Sequence, residues 1–88
     1  MPLKDYEIEV LIRLYDNGLI YFDYKSTEKV ARIIKWSEIA RKFNVRRKFK
    51  SVKKKLLNKG YVYDAGKSCK VVSLSIHGVA FVEASLNE

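Results

Sequence analysis

An 88-residue chain with 48% hydrophobic residues has room for one small domain and a modest core. Its one cysteine, Cys69, excludes an internal disulfide and any cysteine-based metal cluster, and no apolar run approaches the roughly 18 residues of a membrane-spanning helix. The formal net charge of +8 is unevenly spread: residues 1–28 hold three bases and six acids, residues 29–70 fifteen bases and two acids, and residues 71–88 two acids. A basic centre between acidic ends is the electrostatic footprint of a nucleic-acid binder, although an acidic protein or a membrane surface would also complement it. No charged-then-apolar leader opens the chain, so a cytoplasmic protein without an export signal is expected. A domain this short is marginal alone, and oligomerisation is one remedy.

In chain order, Lys4 to Asn17 reads as the first helix. Ile8, Leu11, Ile12 and Tyr15 form one stripe, and Tyr6, Val10 and Leu14 widen it. Asp16-Asn17-Gly18 is a strong stop, with Gly18 suited to the left-handed position past the helix end. Such a wide apolar arc fits either a deeply buried helix or one that packs on its own domain and on a second subunit. Leu19 to Tyr24 has strand propensity without alternation. It fits a short strand, a bend over the core or a dimer contact. Ser26 or Thr27 can cap a short helix through Arg32.

Trp36, Ile39, Ala40 and Phe43 then follow helical spacing, with Ser37 as the expected N-cap and Glu38 in the first turn, where the helix dipole favours an acid. Trp36 is assigned to the core. Asn44-Val45 makes a turn into the run Arg46-Arg47-Lys48-Phe49-Lys50-Ser51-Val52-Lys53-Lys54-Lys55-Leu56-Leu57. Seven of its first ten residues are Lys or Arg. At about 100° per residue, Phe49, Val52 and Leu56 share one helix face with Val45, and Arg47, Lys50, Ser51 and Lys54 point the other way. A solvated surface helix ordinarily mixes both charge signs, because like charges at i, i+4 repel. An unmixed cationic face opposite an apolar seam is suited to dock on a core and to meet something anionic.

Asn58-Lys59-Gly60 stops that helix. Tyr61 to Asp64 and Cys69 to Leu74 read as two strands of a β-hairpin around the turn Ala65-Gly66-Lys67-Ser68, which gives the hairpin a basic tip. Ser75 can cap a last helix over Ile76 to Leu86. Cys69 reads as a small strand residue and His77 as a residue without a ligand role. No metal-ligand spacing, Gly-rich phosphate loop or nucleophile–base pattern is present, so neither catalysis nor a cofactor is expected.

Helix, connector, helix-turn-helix and hairpin is the order of the winged-helix superfamily, and specific residues resemble it. Trp36-Ser37-Glu38-Ile39-Ala40-Arg41-Lys42-Phe43 resembles the second-helix pattern of winged-helix regulators. Leu56-Leu57-Asn58-Lys59-Gly60-Tyr61-Val62 is similar to the end of their recognition helix. Leu74-Ser75-Ile76-His77-Gly78-Val79-Ala80-Phe81-Val82-Glu83 resembles their closing strand and last helix. The resemblance covers residues 33–85 well and the first helix loosely. Residues 19–33 are longer than the usual link. The Lys, Ile and Tyr richness is similar to that of small regulators of archaea and their viruses and plasmids.

The resemblance implies one α+β domain over residues 1–88: a three-helix core with its helix-turn-helix at about 37–59, a two-stranded hairpin wing at about 61–74 and a C-terminal helix. It also implies a recognition helix in the major groove of double-stranded DNA and a wing on the backbone or minor groove. Carried onto this chain, the groove-facing residues are Arg47, Lys50, Ser51 and Lys54. Arg pairs bidentately with guanine, and Lys does so less selectively. Arg46, Lys48 and Lys55 on the flanks, Arg41 and Lys42 before the turn, and Lys67, Ser68 and Lys70 at the wing are the phosphate contacts. Lys4 and Lys25 fall outside this face. The inferred groove face lacks Asn and Gln, which implies modest base specificity. The expected function is that of a transcriptional regulator, homodimeric through the first helix, the last helix or both. A DNA-coating or segregation protein, a winged-helix protein-interaction module and an RNA binder are the rival readings.

Overall fold

Leu11 and Leu14 anchor the interior of this protein from its first helix. A computed structural model describes residues 3–21, 23, 25–63 and 71–87. Among them the chain runs α1 (Asp5–Asp16), β1 (Lys25–Ser26), α2 (Thr27–Ile33), α3 (Trp36–Lys42), α4 (Phe49–Asn58), β2 (Val62–Tyr63), β3 (Val71–Leu74) and α5 (Ile76–Leu86). The class is α+β, as expected. Four helices precede the hairpin rather than three, and the sheet has three strands rather than two, in the order β1-β3-β2.

On α1 the fully buried positions are Glu7, Val10, Leu11 and Leu14. Ile8, Ile12 and Tyr15 are only half-buried, so the helix is rotated from the stripe its apolar residues suggest. Opposing elements supply Val30, Ile34, Ile39, Phe49, Val52 and Leu56, and the sheet and α5 close the core with Val62, Val72, Leu74, Val79 and Val82. The α1 and α5 helices touch, and the Tyr15 hydroxyl donates to Glu83 at 3.2 Å. The two helices proposed for dimer contact therefore spend part of their surface on each other.

Three helices end in the same way. Gly18 (φ 71°), Asn44 (φ 54°) and Gly60 (φ 84°) each take the left-handed conformation just past α1, α3 and α4. After α1, Gly18 N–H donates to Tyr15 and Leu19 N–H to Leu14. After α3, Asn44 donates to Arg41 and Val45 to Ala40. After α4, Gly60 donates to Leu57 and Tyr61 to Leu56. The paired bonds satisfy the carbonyls orphaned at a helix end and turn the chain sharply.

Two helix starts differ from expectation. The first residue of α3 is Trp36, and Lys35 before it is left-handed at φ 57°, so Ser37 is inside the helix and is not its cap. The α2 helix ends at Ile33, and buried Ile34 leaves Lys35 as the one residue on which the chain turns into α3. Trp36 then packs against Tyr6 and Phe49, with ring centroids 6.5 and 5.8 Å away. The start of α4 is Phe49, and Arg46-Arg47-Lys48 precede it as a non-helical connector ending in extended Lys48 (φ −74°, ψ 153°). Cations at a helix N-terminus oppose the dipole, whereas Phe49 can be buried, and at 4% exposure it is.

The starts of α2 and α5 and the hairpin strands follow their sequence signals. Ser26 caps α2 by accepting from Lys29 N–H at 3.2 Å. The hairpin strands pair antiparallel, Val62 opposite Leu74 and Tyr63 opposite Ser73, and β1 adds to the other side of β3. Residues 19–21 form no strand, although Ile20 makes a single parallel bridge to Leu74. Ser75 joins α4, β2 and α5: its Oγ donates to the Gly60 carbonyl at 2.6 Å and accepts from Gly78 N–H at 3.1 Å. At this junction a Cβ on Gly78 would overlap the Tyr61 carbonyl oxygen and lie 2.9 Å from Leu74 Cδ2. Gly78→Ala is therefore expected to destabilise the domain by about 1–3 kcal/mol, the usual range for overpacking, read as a lower urea midpoint at unchanged m-value.

Candidate nucleic-acid interface

The α4 helix carries the main cationic face. Phe49, Val52 and Leu56 are buried, while Lys50, Ser51 and Lys54 on the opposite side are exposed. Asn58, four residues beyond Lys54, continues the exposed stripe and is the one amide on it. The phase of the helix therefore agrees with its hydrophobic spacing. Lys53 departs from the run: it is 3% exposed, and its Nζ lies 3.4 Å from Thr27 Oγ1 at the start of α2. A long aliphatic stem lets a lysine cover apolar surface while its nitrogen finds a polar partner.

Arg46, Arg47 and Lys48 are exposed on the connector before α4. Their position relative to Lys50 and Lys54 is set by a non-helical connector that bends at Arg47, not by helical angle, which removes the helical-spacing basis for grouping Arg47 with the helix face. Among the described residues no carboxylate lies within ion-pair distance of Arg46, Arg47, Lys48, Lys50 or Lys54. The first turn of α4 holds no acid and has no side-chain cap.

Arg41 and Lys42 are exposed at the end of α3 and, with Arg13 and Glu38, line a small cleft. Lys42 is partly engaged: its Nζ is 3.8 Å from Glu9 and 5.2 Å from the centre of the Phe43 ring. Glu9 also faces Arg13 at 3.6 Å, and Arg13 donates to the Ile34 carbonyl at 2.8 Å. Lys67, Ser68, Lys70 and Cys69 lie outside the described residues.

Glu7, 1% exposed, is the site residue that hydrophobic patterning misses. Lys59, the residue that ends α4, places its Nζ 3.0 and 3.2 Å from the two Glu7 carboxylate oxygens. Glu7 Oε1 also accepts from the backbone N–H of Lys4 at 2.9 Å. A glutamate three residues into a helix is a sequence signal for this second bond, but nothing in the sequence announces its lysine partner 52 residues away. Beside this pair Lys55 is half-buried, one turn before Lys59. Partial burial, followed by the charges of Arg47 and Lys4, holds its ammonium pKa below the usual lysine value.

A second surface feature lies apart from the cations. Tyr21, Tyr63, Leu74, Ser75, Ile76 and His77 line an open groove of about 860 Å³, and Ile76 on its rim is 72% exposed. Tyr61 points elsewhere and meets Phe81 edge-on at 5.5 Å. Among the described residues no cluster of His, Cys, Asp or Glu could hold a metal, and no helix is long and apolar enough to cross a membrane.

Removing one partner of a buried ion pair leaves the other charge unsatisfied. Lys59→Met is expected to destabilise the fold by about 3 kcal/mol, and the Glu7→Gln/Lys59→Met double variant by clearly less than the sum of the two single changes, both measured by chemical denaturation. Comparison of the chain with family models, curated proteins and solved structures finds no match, so the meaning of the cationic face rests on its own residues.

Proposed function

We propose that this protein is a double-stranded DNA-binding protein of winged-helix type, a transcriptional regulator that acts by binding and not by chemistry. The observation that carries the reading is the α4 surface: Lys50, Ser51 and Lys54 exposed and, among the described residues, without an acid partner, opposite a buried apolar face, with Arg46, Arg47 and Lys48 leading into it. An uncompensated cationic helix of this kind attracts a polyanion, and an α-helix fits the DNA major groove. The order of helices, antiparallel hairpin and last helix also agrees with a winged helix. In this reading Ser51 is the small residue that lets α4 approach the bases. The cations around it divide between base edges and phosphates, and the wing residues Lys67, Ser68 and Lys70 extend the backbone contact. The protein works as a homodimer in the cytoplasm, with its DNA.

A second reading, a protein that coats DNA with little sequence preference, is favoured by one feature. The first two turns of α4 present lysines and a serine but no amide, and lysine contacts to phosphate carry no sequence information. Asn58 at the far end is the one exposed amide on the stripe, and an amide there can pair with adenine.

Titration of duplex DNA at several salt concentrations tests the proposal. Affinity should fall by about 0.9 log unit per log unit of salt for each phosphate neutralised. Lys50→Ala and Arg47→Ala should each weaken binding and flatten that slope. Lys35→Ala should leave it unchanged, because Lys35 already faces Glu38 at 3.9 Å. A flat response of the wild-type protein would overturn the proposal. Protection that spreads along the duplex, instead of stopping at one site, would select the coating reading.

A further inference from the structure

We infer that the outward face of α5, together with the groove bounded by Tyr21, Tyr63 and Ile76, is where two copies of this chain meet about a two-fold axis. The inference deepens the homodimer of the DNA-binding reading by naming its surface, and it leaves α1 out of that surface.

Each of the first four helices shows charge to solvent: Asp16 on α1, Arg32 on α2, Glu38 on α3 and Lys50 on α4 are all exposed. The α5 helix departs from them. Its one formally charged residue is Glu83, which already accepts from the Tyr15 hydroxyl at 3.2 Å. At about 100° per residue, Ile76, His77, Ala80 and Ala84 share the side opposite the buried Gly78, Val79 and Val82, and all four are exposed. A helix that is apolar all round belongs in an interior. Among the described residues, α5 is covered on one side only.

The groove joins this face at Ile76 and His77. Tyr21 on its rim takes the left-handed conformation at φ 52°, an outlier for a bulky residue. Both of its backbone groups are held there. Its N–H donates to the Leu74 carbonyl at 2.9 Å, and its carbonyl accepts from the buried Ser73 hydroxyl at 2.7 Å. Tyr21, Tyr63 and Ile76 are 42%, 46% and 72% exposed. A large aromatic side chain offers roughly 150–250 Å², so these three leave on the order of a few hundred Å² of apolar surface in one patch. Patches of that size mark association surfaces. The groove alone falls short of the about 800 Å² that a stable interface takes from each partner, and the adjoining α5 face extends it.

Charge selects the second copy as the occupant. Two chains of net charge +8 repel wherever their bases face each other, and residues 71–88 hold no Lys or Arg. Among the described residues, none that lines the groove is Lys, Arg, Asp or Glu. Such a surface gives an acidic partner nothing to hold, and it is where a like-charged chain approaches at least cost. A two-fold contact sets the same patch against itself. Ile76, projecting beside the groove, then finds a groove to enter on the second copy. Lys50, Ser51 and Lys54 take no part in this surface and stay open to a polyanion.

Sedimentation velocity over a concentration series tests the inference with the wild type, Ile76→Glu and Ala80→Glu. Both substitutions place an acid at an exposed helical site, and circular dichroism and the urea midpoint check that the fold is kept. The wild type is expected to dimerise with concentration, and each variant to raise the dimer dissociation constant by about tenfold or more, because the charge enters a two-fold interface twice. Asp16→Asn on α1 should leave the constant unchanged. A wild type that stays monomeric at every concentration would overturn the inference, and so would a monomer whose face instead binds neutral lipid vesicles. A dimer that survives both α5 substitutions would overturn this surface and leave the homodimer intact. The salt slope of duplex binding judges the DNA reading separately: a flat slope, with the dimer still lost in both variants, would overturn that reading and keep the interface.

Discussion

The arrangement of this domain depends on one buried carboxylate. Glu7 lies at the start of α1 with its two oxygens facing the Lys59 ammonium and one of them also holding a backbone N–H. An ionised group out of water is tolerable only when its hydrogen-bonding capacity is met, and here it is met from two directions. The same group completes the first turn of α1 and marks where α4 stops. A domain of this size has a net stability of roughly 5–10 kcal/mol, so a contact that must be complete or be costly constrains the whole fold. It ties the acidic opening of the chain to its basic centre, and it engages Lys59, the cation just past the end of α4.

The cations that remain are sorted by a simple competition. Each apolar residue of α4 goes inward, and lysines either point to solvent or, like Lys53, lay their stems along the core edge. Arg46, Arg47 and Lys48 stand outside the helix, which begins at the buried Phe49, although Lys50 takes a place in its first turn. Cationic residues are consequently presented in two ways: on a helix face, and on a non-helical connector whose side chains leave a different backbone.

Local signals carried much of the fold. Ser26, Ser75, Gly18, Asn44 and Gly60 mark helix boundaries that the structure reproduces, because caps and left-handed stops act through their own nearest hydrogen bonds. The hairpin strands were legible for the same reason. The misreadings involve longer range. Ser37 is a good cap in isolation, but with Trp36 packed on Tyr6 and Phe49, α3 starts two residues earlier, capped at Lys35. Arg46 to Lys48 continue the helical spacing on paper, yet nothing apolar in them has a core to reach. The strand at Lys25–Ser26 has no strand-like composition, and β3 alone recruits it. Of the cationic face, the Lys50, Ser51 and Lys54 group was visible in the spacing. The inward turn of Lys53 was not, because it depends on Thr27, 26 positions away.

The α4 helix is gripped on both flanks, by Glu7 through Lys59 on one and by Thr27 through Lys53 on the other. Those two grips fix its rotation about its own axis before any partner arrives. For the polyanion proposed as partner, the ordering that remains would fall on side-chain rotamers, and lysine is among the most rotamer-rich of residues. In the proposed DNA-binding reading, recognition by this surface would be an entropy-limited event on a preorganised scaffold, in which the arginines, with their planar forks, lose less freedom per bond than the lysines around them.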